Sequence, residues 1–441
     1  MSSDWKLLSI GECLEKVVDN RGKTPPISEV ETNFGLIEIN AIVGSNKHPD
    51  YAAVRKYVTP STYESWFRAG HPRIGDILFS TVGSIAEVAI FNGGSGCIAQ
   101  NLVGLRPNKS IIDPDYLYYV LINPVTRSKL KTLDISSVQP SIKVPHLLAT
   151  EISVPDVTVQ KEITSVLSAI DDRITLLRET NTTLEAIAQA MFKSWFVDFD
   201  PVHAKQQGRA PEGMDDATAA LFPDSFEESE LGLVPKGWRV EPLTEVFDFR
   251  EGPGIRNWQY TNSDQGTRFI NIRCIQDGDL TIETANRITD EEANGKYAHF
   301  HLQAWDVVVS TSGTLGRSAI VRQEHLPLML NTSVIRFQPI TNKMLFCFLY
   351  EYLNSTEFLF KLESMASGSV QKNFGPMHLK QMKLVCPPID LVSHYESVCR
   401  PLFEKLIENR ASINTLATLR DTLLPRLISG QLRLPDMEVI S

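Results

Sequence analysis

The segment SSVQPSIKVPHL at 136–147 returns 232 positions later, at 368–379, as GSVQKNFGPMHL. A duplicated chain must build one structural plan twice, which narrows the choice of fold more than any motif or composition figure. At the same offset Ser137, Val138, Gln139, His146, Leu147 and Pro155 fall on Ser369, Val370, Gln371, His378, Leu379 and Pro387. The match continues without a gap from Ile170, Ile174, Thr183 and Leu184 to Leu402, Leu406, Thr415 and Leu416. Upstream, GDILFSTVGSIAEVAIF (75–91) meets WDVVVSTSGTLGRSAIV (305–321) at offset 230. Trp5 and Glu12 meet Trp238 and Glu245 at offset 233. Order is kept and drift is small, so the chain is two copies of one unit, each a globular part followed by a helical part.

The globular parts read as mixed α/β. GDILFST, EVAIF and LVGLRP are short β-rich runs broken by Gly, Asn and Pro. DPDYLYYVLINP and NKMLFCFLYEYLNS are helix candidates, the first opening with the Asp-Pro of a helix N-terminus.

In the helical parts, Ile163, Leu167, Ile170, Ile174, Leu177, Asn181, Leu184, Ala188 and Met191 step by four and three, a heptad seam. The second seam runs Tyr395, Cys399, Leu402, Leu406, Asn409, Ile413, Leu416, Arg420, Leu423. Prolines precede each helix (Pro155; Pro387 and Pro388), and Pro425 is expected to close the second. Each helix could run about 30 residues, roughly 45 Å. Paired antiparallel, the two helices would bury their seams against each other, and a two-fold axis near residue 179 would set Asn181 opposite Asn409. The competing arrangement packs each helix on its own globular part alone.

The expected architecture is therefore α+β. Two similar mixed α/β domains, 1–155 and 238–390, are separated by long antiparallel helices, 156–199 and 391–430, that form a coiled coil with pseudo-two-fold symmetry. Residues 200–237, rich in Pro, Gly and acids, read as a linker holding one short helix, and 431–441 as a tail.

The net charge of −10 does not exclude a nucleic-acid partner. Between 156 and 235 there are six Lys and Arg against fifteen Asp and Glu, so this stretch holds nine of the ten excess negatives, and the globular parts are close to neutral. Six scattered cysteines without a CxxC pair suit a reducing compartment and argue against a zinc site. With no charged-then-apolar leader and no apolar run near a membrane span, the expected place is the cytoplasm.

No signature of catalysis stands out. The GxxxxGK[ST] phosphate loop is missing, as is the Asn/Asp-Pro-Pro-aromatic run that binds adenine in amino-methyltransferases. EGPGIRN lacks a third glycine, and His299 and His301 lack the partners of a metal site. Polar loops repeated in both halves are better candidates, because base edges are read by Arg, Lys, Asn, Gln and Ser on exposed segments. The first half offers Arg21, Lys23 and Thr24, then Gln139 and Ser141; the second offers Arg250, Arg256, Asn257 and Gln259, then Gln371, Lys372 and Asn373. For each residue taken singly, a solvated loop or a turn cap is the blander reading.

These features together resemble the specificity subunit of type I restriction-modification enzymes. The likeness rests on the Trp near the start of each unit, the GKTP turn, GDILFSTVGS, the SVQPSI and SVQKNF loops, the helix ending MFKSWFVDFDP, and ELGLVPKGW opening the second half. It covers about 430 residues. The resemblance implies two target recognition domains and two spacer helices. It implies a non-catalytic subunit that binds a split double-stranded DNA target, one half per domain. Two modification subunits would methylate adenine N6, and restriction subunits would cut. S-adenosylmethionine, ATP and magnesium would then belong to the partners, with no cofactor on this chain. Asp171, Asp172, Arg173 and Arg178, on the exposed helix face, would dock the modification subunits. The alternative is a two-lobed protein-binding scaffold without DNA recognition.

Overall fold

The computed structural model describes residues 5–44, 47–135, 139–262, 264–276, 278–366 and 374–434. It divides into two units, 1–178 with 411–441, and 179–410. The long helices Val157–Phe192 and Ile389–Ile428 each give one part to each unit.

The first unit is built on a four-stranded antiparallel sheet in the order Leu14–Val18, Leu102–Pro107, Ile77–Ser80, Val88–Ile90. Its two central strands are buried along their whole length. Period-two alternation then feeds two cores. Ile77, Phe79, Val103 and Leu105 face the helix Pro114–Ile122 and the long-helix residues Ile163, Leu167, Leu424 and Leu427. Leu78, Ala89 and Leu102 face a smaller core with Val18, Ile37, Ile42 and Ile98. The Asp113 carboxylate caps Pro114–Ile122 by accepting from the Asp115 and Tyr116 amides, as the Asp-Pro start predicts.

The second unit repeats the plan. Its sheet runs Phe247–Glu251, Val334–Pro339, Val307–Ser310, Ser318–Ile320. Val307 and Val309 face the helix Phe346–Asn354, and Val308 faces the opposite core. A two-stranded ribbon closes each unit: Lys6–Ser9 with Glu151–Val154, and Arg239–Pro242 with Lys383–Cys386.

Both units contain the helix pairing, and in both it runs antiparallel. In the first, Arg420 Nη1 donates to Asp171 Oδ1 at 2.8 Å. In the second, Asn409 Nδ2 donates to Asn181 Oδ1 at 2.9 Å, and Tyr395 OH to the Ala188 carbonyl at 3.2 Å. The two seam amides do meet, and packing of each helix on its own domain alone is ruled out.

Two expectations need correction. The second long helix continues through Pro425 to Ile428. The proline removes one amide at a cost of about 3 kcal/mol. Leu424, Leu427 and Ile428, buried in the core of the first unit, offset that at about 1.5–3 kcal/mol each. The stretch 200–237 is packed structure rather than a free connector. It carries helices Asp200–Gln206 and Asp216–Ala220 and a hairpin of Phe226–Ser229 with Gly232–Pro235. Val202 and Phe222 anchor it beside Trp195 and Trp238.

Candidate nucleic-acid interface

In each sheet two strands end, and the strand between them begins, at the same pole, so the loops there gather. In the first unit these are the turns after Val18, after Ser80 and before Leu102. Thr81 is the junction. Its carbonyl accepts from the Ile142 amide at 2.8 Å, and its amide donates to the Asn101 carbonyl at 2.8 Å. The Gly83 amide donates to the Pro140 carbonyl at 3.0 Å, laying the Gln139–Ser141 segment along the 81–83 turn. The Ser141 amide donates to Asp134 Oδ1 at 2.8 Å. Gln100 donates from Nε2 to the Thr24 hydroxyl. The sequence candidates Arg21, Lys23, Thr24, Gln139 and Ser141 therefore share one pole.

Their availability differs. Arg21 donates from Nε and Nη2 to both oxygens of Asp19, each at 2.8 Å, and from Nη1 to Thr81 Oγ1 at 3.3 Å. This fork holds the Asp19 carboxyl below its ordinary pKa range and occupies most of the guanidinium donors. Lys23 and Arg68 are exposed. With Arg21, Ser65 and Trp66 they line one cleft. Trp66 and Arg68 lie more than forty residues from the GKTP turn and reach it only through the fold, so nothing in the sequence ties them to it.

In the second unit Gly252 crosses against the backbone of Asn331, where an added Cβ would lie 2.4 Å from the carbonyl carbon. Only glycine permits that approach. The Thr332 amide donates to the Pro253 carbonyl at 2.9 Å, and Asn331 Oδ1 accepts from Ile255 N at 3.3 Å. The Phe374 amide donates to the Thr311 carbonyl at 2.9 Å, the counterpart of Ile142 on Thr81. Gln371, Lys372 and Asn373 lie outside the described residues.

Arg250 belongs to the strand, not the loop, and its Nη1 donates to the His299 carbonyl at 2.7 Å. Gln259 is a correction. It is 8% exposed, its Nε2 donates to Glu292 Oε1 at 3.0 Å and Tyr297 OH at 3.1 Å, and its Oε1 accepts from Arg256 N at 3.0 Å. It braces the loop instead of facing outward. Arg256 and Asn257 are exposed, and between Asn257 and Gln259 stands Trp258, 81% exposed, a residue the sequence reading passed over. An aromatic in a Gly/Pro loop between polar neighbours was the cue for it.

On the first long helix Asp172, Arg173 and Arg178 point outward, with Leu176 exposed among them. Asp171 does not. Its carboxylate accepts from Arg420 on one oxygen and from Tyr119 OH on the other at 2.7 Å, leaving its side chain 13% exposed. The cue was Arg420 itself, a cation at a seam position that requires a nearby anion.

Among the described residues no three His, Cys, Asp or Glu side chains gather as a metal site would need, and no helix is long and apolar enough to cross a membrane.

The family model for the type I restriction modification DNA specificity domain matches residues 2–186 and again 235–390. The type I restriction enzyme HindI specificity subunit of Haemophilus influenzae is 26% identical over 405 residues, covering 81% of this chain and 86% of that protein. The MjaIX specificity subunit of Methanocaldococcus jannaschii is 26% identical over 367 residues, covering 82% and 79%. Among solved structures, a type I restriction-modification S subunit from M. genitalium aligns over 98% of this chain and 96% of that one, with a TM-score of 0.54 and 16% identity.

Proposed function

The chain belongs to the type I restriction modification DNA specificity family, and on that premise we propose that it is the non-catalytic DNA-reading subunit of such a complex. It acts in the cytoplasm on a two-part duplex target, each unit reading one half from the loops at its sheet pole. Supporting this is a bond repeated in both units: the amide of Ile142 donates to the Thr81 carbonyl and that of Phe374 to the Thr311 carbonyl, and in the first unit the polar segment Gln139–Ser141 lies against the turn beside it. A shared anchoring bond with different loop residues around it suits two readers of different sequences.

In this reading the outward helix face of Asp172, Arg173, Leu176 and Arg178 meets one of two modification subunits. These supply S-adenosylmethionine and adenine N6 methylation. Restriction subunits supply ATP- and magnesium-dependent cleavage.

The test has two parts. Mapping methylated adenines in the host genome should return a two-part motif. Changing Arg256 and Asn257 to Ala in the assembled complex should cost about 1–3 kcal/mol for each base edge no longer read, at one half of that motif only. Equal weakening at both halves, or a continuous motif, overturns the reading.

A further inference from the structure

Trp258 has the most exposed of the large apolar side chains among the described residues, at 81%. An indole carries roughly 150–250 Å² of largely apolar surface, and leaving it in water is unfavourable unless a partner covers it. The loop that presents it is fixed at both ends. Ile255 is 5% exposed in a core with Phe269, Ile288 and Tyr297. Gln259 is tied to Glu292 and Tyr297, and a helical turn spans Asn257–Gln259. The display is therefore rigid. From Gly252 to Asn262 the loop carries one cation, Arg256, and no acid. The first unit also places an indole in the cleft at its pole, where Trp66 shares the lining with Lys23, Arg68 and the paired Arg21 and Asp19.

A preset aromatic directly following outward Arg and Asn side chains matches double-stranded DNA. The polar pair reaches base edges, while the flat ring presses on a base step, as apolar wedges do in other duplex readers. Resting on the function proposed above, we propose that Trp258 is the apolar contact of the second unit with its half-site, contributing affinity and a base-step preference there. It is a specificity-determining residue, not a catalytic one.

The test uses the full chain in its assembled complex and duplexes carrying the mapped motif, intact or with one half scrambled. Trp258→Ala should weaken binding to the intact duplex by about 5- to 150-fold, the range of one aromatic–base stack. It should leave the salt dependence unchanged, because an indole neutralises no phosphate. With the second unit's half scrambled, variant and wild type should bind alike, and Trp258→Phe should recover most of the affinity. The far-ultraviolet spectrum and melting of the variant should match the wild type, since the side chain is in solvent. If Trp258→Ala binds the intact duplex as tightly as wild type, the assignment is wrong. The same holds if its only defect is failure to bind the modification subunit. A wild-type complex with no preference among the duplexes overturns the specificity reading itself, a distinguishable failure.

Discussion

Asn181 and Asn409 are 7% and 2% exposed and joined by one bond of 2.9 Å, with a longer hydrogen bond of 3.4 Å from Asn181 Nδ2 to the Leu406 carbonyl. Changing Asn409 to Leu leaves Asn181 with only that longer bond. Changing Asn181 to Leu leaves the Asn409 amide without its partner. Either single change should cost about 1–3 kcal/mol, the desolvation of an unpartnered buried polar group. For a unit of this size that is a fall of about 2–12 °C in the melting transition. Changing both removes both desolvation costs and adds apolar packing at a helix seam, so the double variant should melt at or above the wild type while specifying helix register less tightly. Urea and thermal denaturation of the four proteins of the cycle give the coupling directly. Single effects that add, within about 0.5 kcal/mol, to the double effect would show that the two amides do not act on each other, and the account of the seam would fall with them.

Three further outcomes follow from buried or closely packed groups. Burial pushes the Glu351 carboxyl up from an ordinary value of 4.5 to about 8, with Glu185 adding repulsion. Between these values the unfolded chain releases the proton and the folded chain keeps it. Stability should therefore fall as pH rises from about 4.5 to about 8 and then level, a span on the order of a few kcal/mol. Glu351→Gln should flatten this in denaturation across the same range. Arg106 grips both oxygens of Asp76, itself 2% exposed, at 3.1 and 2.8 Å. Arg106→Leu leaves that buried carboxylate with the Arg73 amide but no counter-charge and should destabilise the first unit by about 3–5 kcal/mol, partly recovered by adding Asp76→Ala, as urea titration will read. Gly252→Ala drives a methyl into the Asn331 backbone. Affinity for the second unit's half-site, measured by DNA titration, should fall while affinity for the first unit's half-site is unchanged.

Much of this was legible in the chain. The repeat announced two like units. The alternation in GDILFST and WDVVVST announced sheet strands, and the four-three spacing announced helices whose Asn residues would meet. What stayed hidden was partner choice. Periodicity marks a buried face but not which charge an ion finds there, so Asp171 reads as outward although Arg420 and Tyr119 hold it. Gln259 reads as a base reader because Gly, Pro and polar neighbours mark a loop without telling which of its side chains brace it from within. Pro425 reads as a stop because a rule about backbone amides carries no knowledge of the core waiting beyond it. The 200–237 stretch hides its few apolar anchors among acids and glycines.

Leu424, Leu427 and Ile428 share a core with Ile10 and Cys13. During synthesis the first unit must therefore wait, its hydrophobic cleft open, until residue 428 has left the ribosome. A stop codon near position 410 would remove part of the core of the unit translated first. Quality control that senses exposed apolar surface would detect that damage in the half translated first.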